Sequence, residues 1–145
     1  MRRSIIARTI DEVCEQRQRP GILSLACGHL REAEFSGAIQ CGKFESFLAL
    51  DQDQESLDVV DRDYGQYGVQ SLNKSVRELL RDRTFEGRFD LIYSAGLYDY
   101  LEKKVATKLT DRLFELLAPG GYLLLTNFLP SIRSWGMWRA SWIGN

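Results

Sequence analysis

Two short segments of this sequence pair residue types suited to a nucleoside ligand. Leu25-Ala26-Cys27-Gly28-His29 closes an apolar run on a small residue, a thiol and a glycine, and Asp51 closes a second apolar run 23 positions after Gly28. A glycine there allows a tight turn and close approach of a ligand to the backbone, and a following helix can offer free N–H groups. A carboxylate about 20 residues further on is placed to accept both hydroxyls of a ribose diol. The stretch A-C-G-H-L-R has one glycine where G-x-G-x-x-G has three, which argues against a dinucleotide cradle. G-x-x-x-x-G-K-[ST] does not occur either.

Each of these residues also has a plainer reading. Asp51 could cap the next helix. Cys27 could be a small buried filler, as free cysteines usually are. Cys27 and His29 could form a hydrolase pair, but near neighbours in a tight turn seldom face each other. Cys14, Cys27 and Cys41 make an odd set without a C-x-x-C pair, and there is one histidine. Neither a disulfide framework nor a metal centre is expected.

The elements that must position these residues follow from the apolar pattern. Ile6, Ile10, Val13 and Cys14 fall on one helical face within residues 4–18, and Pro20-Gly21 ends that helix. Residues 22–26 form a buried strand, followed by a short helix over about residues 31–38. Residues 44–50 form a second strand, and Asp53 caps a helix carrying Leu57, Val60 and Tyr64. Residues 69–72 make a third strand before a helical piece at 76–80, and residues 89–93 make a fourth. Residues 104–117 are the strongest helix, stopped by Pro119-Gly120-Gly121, and residues 122–126 form a fifth strand. Strands that read as continuous apolar runs between helices are the mark of a parallel sheet covered on both faces. The expected fold is α/β: a Rossmann-like doubly wound, mainly parallel sheet of about five strands with helices on both faces.

The chain has 145 residues, 44% hydrophobic and 27% charged, with a net charge of -1. That length predicts one domain, here residues 1–130, with a core that needs no staples. The charge balance gives no basic stripe for nucleic acid. No apolar stretch reaches the roughly 18–20 residues of a membrane span, and the N-terminus lacks a long apolar signal core, so a cytoplasmic protein is expected. The tail, residues 131–145, carries Trp135, Trp138 and Trp142 at i, i+3 and i+7. A helix would align all three against the core, a partner subunit or, less readily, lipid.

Four ordered segments together resemble the class I S-adenosylmethionine-dependent methyltransferases. Ile22-Leu23-Ser24-Leu25-Ala26-Cys27-Gly28 is similar to their first motif and Phe47-Leu48-Ala49-Leu50-Asp51 to their second strand with its ribose-binding acid. Phe89-Asp90-Leu91-Ile92-Tyr93-Ser94-Ala95-Gly96 is similar to the fourth-strand motif, and Leu117-Ala118-Pro119-Gly120-Gly121-Tyr122-Leu123 to the turn into strand five. The resemblance covers about residues 20–129. It implies S-adenosylmethionine as cofactor, with Ala26, Cys27 and Gly28 against its methionine part and Asp51 on its ribose. Gln52 would flank the adenine, Ser75 and Val76 would contact it, and Ser94, Ala95 and Gly96 would floor the site near the sulfonium.

Two departures stand out. Ser24 occupies the position where the family typically has an acid, and His29-Leu30 replaces the usual x-Gly. Glu32 is expected to supply the missing negative charge to the cofactor's amino group, against the plainer reading of a favourable charge in a helix's first turn. Tyr98 and Asp99, with Tyr100, would meet a small-molecule acceptor, Asp99 orienting or deprotonating it, although an acid in a turn is also ordinary surface. Asn127 and Phe128 are second candidates.

Within the family, residues 94–101 and 127–130 look most like bacterial methyltransferases of an extracellular-factor fatty acid methyl ester, implying a carboxylate on a hydroxy fatty acid. The family's C-terminal helix and strand pair are largely missing from the expected elements. A shortened form is one explanation, and a homodimer covering the exposed sheet edge, or joined through the Trp-rich tail, is the other. A non-catalytic S-adenosylmethionine-binding or assembly protein is the competing function, and a Cys27-dependent hydrolase the third.

Overall fold

The computed structural model describes residues 2–82, 84–85, 87–95, 97, 101–126 and 135–139. Helix α1 (Arg2–Gln16) leads into strand β1 (Gly21–Leu25). A 3-10 turn (Arg31–Phe35) and the short α2 (Gly37–Gln40) precede β2 (Ser46–Asp51) and α3 (Gln54–Tyr64). Then come β3 (Val69–Asn73), α4 (Val76–Arg81), β4 (Phe89–Ala95), α5 (Lys103–Leu116), β5 (Leu117–Thr126) and β6 (Trp135–Arg139). They build a six-stranded sheet in the order β3-β2-β1-β4-β5-β6, with β1 to β5 parallel and β6 antiparallel to β5. This is the expected doubly wound sheet.

The continuous apolar runs have a direct cause. All five residues of β1 are buried, because successive side chains point to opposite faces and both faces are covered. Ile22 packs with Ile6, Ile10, Val13, Phe47 and Val60 in one core layer. Leu23 and Leu25 pack with Leu79, Leu109, Leu113 and Leu116 in the other. Each such aliphatic side chain contributes roughly 1.5–3 kcal/mol by leaving water. Gly21 is required at the start of β1, since a Cβ there would lie 2.8 Å from the Arg88 carbonyl oxygen. At this amino-terminal end of the sheet Asp90 ties three elements together. It accepts the Gly21 N–H at 2.9 Å and the Arg17 guanidinium at 2.6 Å, and Arg17 also donates to the Pro119 carbonyl at 3.1 Å.

Three local expectations are corrected. The helix expected over about 31–38 is divided, because Ser36 starts a new helix: its hydroxyl accepts the Ile39 N–H at 3.2 Å and donates to Asp11 at 2.7 Å. Pro119-Gly120-Gly121 lies inside β5 and not before it. Leu117 already pairs with Phe89 and Tyr122 pairs with Leu91, so the residues between them form an irregularity on the β5 side. The helix expected through Trp135 and Trp138 is not formed. Those residues belong to β6, where Thr126 pairs with Trp135 and Leu123 with Trp138, and strand pairing along β5 overrides the helical spacing. Trp142 lies outside the described residues.

Candidate functional site

The strand order reverses between β1 and β4, with β2 and β3 on one side and β5 on the other. Ligands of open parallel sheets bind at such a switch point, outside the carboxyl ends of the strands. The turn leaving β1 is unusual. Ala26, Gly28 and Leu30 all have left-handed backbone, with φ of 55°, 55° and 56°. Gly28 suits that conformation, whereas Ala26 and Leu30 hold it at a steric cost of about 1–2 kcal/mol each. They sit in it because the turn is fixed from outside. The Cys27 N–H donates to the Leu50 carbonyl at 3.0 Å and the Leu30 N–H to the Cys27 carbonyl at 3.0 Å.

Asp51 is the main fastening. Its Oδ2 accepts the Gly28 N–H and its Oδ1 accepts the Asp53 N–H, each at 2.9 Å. One carboxylate therefore joins the turns after β1 and β2, and its backbone carbonyl accepts the Lys74 N–H after β3 at 3.1 Å. Asp53 begins α3 as expected, but its carboxylate accepts the Ser56 hydroxyl at 2.7 Å and makes no capping bond to backbone.

Beside Asp51 lies a small, open cleft lined by Ala26, Gln52, Ser75, Val76, Leu97 and others. It opens into a wider groove walled by Val76, Leu80, Leu97, Leu101 and Val105, with Arg77 and Lys108 also lining it. Five expected residues from three separate turns thus converge: Ala26, Asp51, Gln52, Ser75 and Val76. Ser75 also has a structural task, since its hydroxyl accepts the Glu78 N–H at 3.2 Å and Glu78 accepts the Ser75 N–H at 3.0 Å. Ser94 pairs with Leu25 at the end of β4 and is buried, and Ala95 ends that strand. Gly96, Tyr98, Asp99, Tyr100, Asn127 and Phe128 lie outside the described residues.

Cys27 and Glu32 do not line this cleft. Burial, reinforced by the nearby charges of Asp51 and Glu32, pushes the Cys27 thiol up to about 12. It is therefore a neutral thiol at physiological pH, which counts against a nucleophile. His29 is exposed and lies in the field of Asp63. Glu32 is 7% exposed and accepts the Tyr93 hydroxyl at 2.7 Å. Its carboxyl is raised by burial and lowered in part by that hydrogen bond.

Sequence reasoning passed over Leu97, Lys74 and Tyr93. The first two line the cleft, and the signal for Tyr93 is a hydroxyl inside an otherwise apolar strand. Among the described residues no group of three or more His, Cys, Asp or Glu is placed to hold a metal ion. No helix among them is long and apolar enough to cross a membrane.

Solved structures share this architecture. A TehB-like SAM-dependent methyltransferase from Corynebacterium glutamicum superimposes with a TM-score of 0.63 at 22% identity, over 85% of this chain and 64% of its own. SAM-bound CalS10, an amino pentose methyltransferase from Micromonospora echinaspora, gives 0.68 at 18% identity, over 88% and 51%. YcgJ from Bacillus subtilis gives 0.65 at 15% identity, over 88% and 51%. Several of the similar structures are about twice as long as this chain, which covers 54%, 51% and 44% of three of them. No curated protein matches significantly. The family described as tellurite resistance protein TehB matches residues 5–131. With that span covering most of its length and the class I methyltransferase fold beneath it, the chain belongs to the TehB family.

Proposed function

We propose that this protein binds S-adenosylmethionine at the carboxyl ends of β1, β2 and β3 and transfers its methyl group to a small-molecule acceptor. The observation that carries the reading is the Asp51 carboxylate, held by one backbone N–H from each of two turns at the mouth of the cleft. Each oxygen keeps a lone pair for a further donor, which suits the two hydroxyls of a ribose. Gln52, Ser75, Val76 and Leu97 would enclose the adenine in the cleft. Ala26, Cys27 and Gly28 would lie along the methionine part, and Ser94, Ala95 and Gly96 beneath the sulfonium.

When bound, the cofactor supplies an already activated methyl group, so the chain's task is to position and to exclude water. Alignment of donor and acceptor is worth about 7–11 kcal/mol in favourable cases. In this reading Asp99 orients the acceptor or takes its proton, and Tyr98 helps to place it. The acceptor we favour is a carboxylate, with hydroxy fatty acids as the narrower class. The apolar groove beside the cleft supports an apolar substrate body. Three free cysteines support a reducing, cytoplasmic location. The antiparallel edge strand β6, with the segment after it, would join a homodimer.

The test is calorimetric titration with S-adenosylmethionine and S-adenosylhomocysteine, followed by an assay for S-adenosylhomocysteine release with carboxylic acids of increasing chain length. Micromolar binding with turnover supports the reading. Binding without turnover on any acid moves it to a cofactor-binding assembly protein, and absence of binding by folded protein overturns it.

A further inference from the structure

Two cations stand in the groove beside the cleft, Arg77 on α4 and Lys108 on α5. The groove is otherwise apolar. Leu97 follows the end of β4 by two residues and lines both the cleft and the groove, so the groove begins next to the proposed reaction centre. From there it runs between the two helices. Val76 and Leu80 on one side, with Leu101 and Val105 on the other, give it half-buried aliphatic walls.

Among the described residues no acid lines the groove, and neither Arg77 nor Lys108 forms an ion pair. The two acids nearest Arg77 in the sequence are engaged elsewhere. Glu78 accepts the Ser75 N–H at 3.0 Å, and Asp82 accepts the Lys74 ammonium at 2.7 Å. The first turn of α5 carries Lys103 and Lys104 and no acid, the reverse of what the helix dipole favours. The charge of this surface is therefore positive and uncompensated. An aliphatic channel with cations on its walls suits a hydrocarbon chain that bears an anion, and a guanidinium can hold a carboxylate by two parallel hydrogen bonds.

We infer that the acceptor is an α,ω-dicarboxylate, with one carboxylate presented to the cofactor, the hydrocarbon chain in the groove, and the second carboxylate held by Arg77 and Lys108. The held group and the methylated group are different ones. A carboxylate tied to two cations has its lone pairs engaged and is a poor nucleophile. Lys108 also lies about 7.5 Å along the axis of α5 from Lys103 at its start, at 1.5 Å per residue, and α5 leads back from the end of the sheet that carries the cleft. In the transfer, a lone pair of the free carboxylate forms the bond to the methyl carbon while the methyl–sulfur bond breaks and leaves its electron pair on sulfur. The products are a monomethyl ester and S-adenosylhomocysteine, and the held carboxylate is unchanged. This rests on the methyl-transfer reading above and names the second charge that its acceptor carries.

The experiment follows S-adenosylhomocysteine release by the full chain with α,ω-dicarboxylates of six to twelve carbons and with monocarboxylates of the same lengths. The best dicarboxylate should have a KM at least tenfold below that of its monocarboxylate. Arg77→Gln and Lys108→Gln should each raise the dicarboxylate KM about fivefold, and the double variant at least tenfold, with kcat within twofold. Monocarboxylate KM should stay within twofold in all three variants, as should S-adenosylhomocysteine affinity measured by calorimetry. Both positions are exposed, so the variants should fold. Equal KM values for the two acid classes, or equal losses for both in the variants, would overturn the inference and leave the methyl-transfer reading standing. Turnover of monocarboxylates with none of dicarboxylates would do the same. If the unaltered chain binds S-adenosylhomocysteine but turns over no acid, the carboxylate acceptor and the inference fall together. If it does not bind S-adenosylhomocysteine, the cofactor reading falls with them.

Discussion

Replacing Asp51 by alanine should destabilise the protein even before any ligand is added. The carboxylate accepts two backbone N–H groups at 2.9 Å, from Gly28 and Asp53. Hydrogen bonds to charged acceptors contribute about 1.5–3 kcal/mol each. Both N–H groups can reach water once the side chain is removed, so about 1 kcal/mol apiece is the better figure. The turn after β1 has a second reason to loosen, because Ala26 and Leu30 hold left-handed backbone there. A total of about 2 kcal/mol lowers the unfolding midpoint by roughly 4–8 °C in a domain of this size. Differential scanning calorimetry of ligand-free Asp51→Ala and Asp51→Asn measures it. Asparagine keeps one oxygen and aims an amide N–H₂ at one of the two donors, so it should recover only part of the loss. A midpoint for Asp51→Ala within 1 °C of the unaltered chain would refute the claim that this side chain fastens the two turns. A nucleoside-binding defect would then have to come from lost ligand contacts alone.

Four further outcomes are expected. Ala26→Gly relieves left-handed strain of about 1–2 kcal/mol against a glycine entropy cost of roughly 0.5–1 kcal/mol, so thermal stability should rise slightly. Leu30→Gly relieves the same strain but empties a fully buried site worth about 2–5 kcal/mol, so stability should fall. Cys27, held up to about 12, and Cys14, raised to about 11 from an ordinary 9.0, keep their protons in the folded chain after the unfolded chain has lost them. Their contribution is intact below about pH 9 and is lost as pH rises toward 12, and denaturant titrations of Cys27→Ala should show a shallower decline over that window. Asp90→Ala removes the clamp on Gly21 and Arg17. It should cost about 2 kcal/mol by urea unfolding while leaving nucleoside affinity unchanged, since the clamp sits at the opposite end of the sheet from the cleft.

The legible part of the site was the part carried by position along the chain. Asp51 and the Ala26–Gly28 turn stand at strand ends, and strand ends can be read from where an apolar run stops. Gln52, Ser75 and Val76 were implied by the resemblance to the methyltransferases, and these three line one cleft with Ala26 and Asp51. Glu32 was singled out through the resemblance, as a replacement for the acid the family has where this chain has Ser24. Its partner could not be, because Tyr93 is 61 positions away and meets it only once β1 and β4 pair. The dual task of Asp51 was equally hidden, since a carboxylate at a strand end looks the same whether or not backbone N–H groups already occupy it.

Composition and period alone determined the layered α/β fold of this protein, because a strand buried on both faces must be apolar throughout and a covering helix must be apolar on one stripe. They did not determine the tail. Trp135 and Trp138 have helical spacing, but β5 presents an unpaired edge, and an open row of backbone donors and acceptors recruits whatever segment can reach it. The Pro119-Gly120-Gly121 irregularity within β5 and the hydrogen bond from Tyr93 to Glu32 were likewise decided in three dimensions. Pairing register and buried hydrogen-bond partners depend on which strands become neighbours, and the local pattern of a chain carries no record of that.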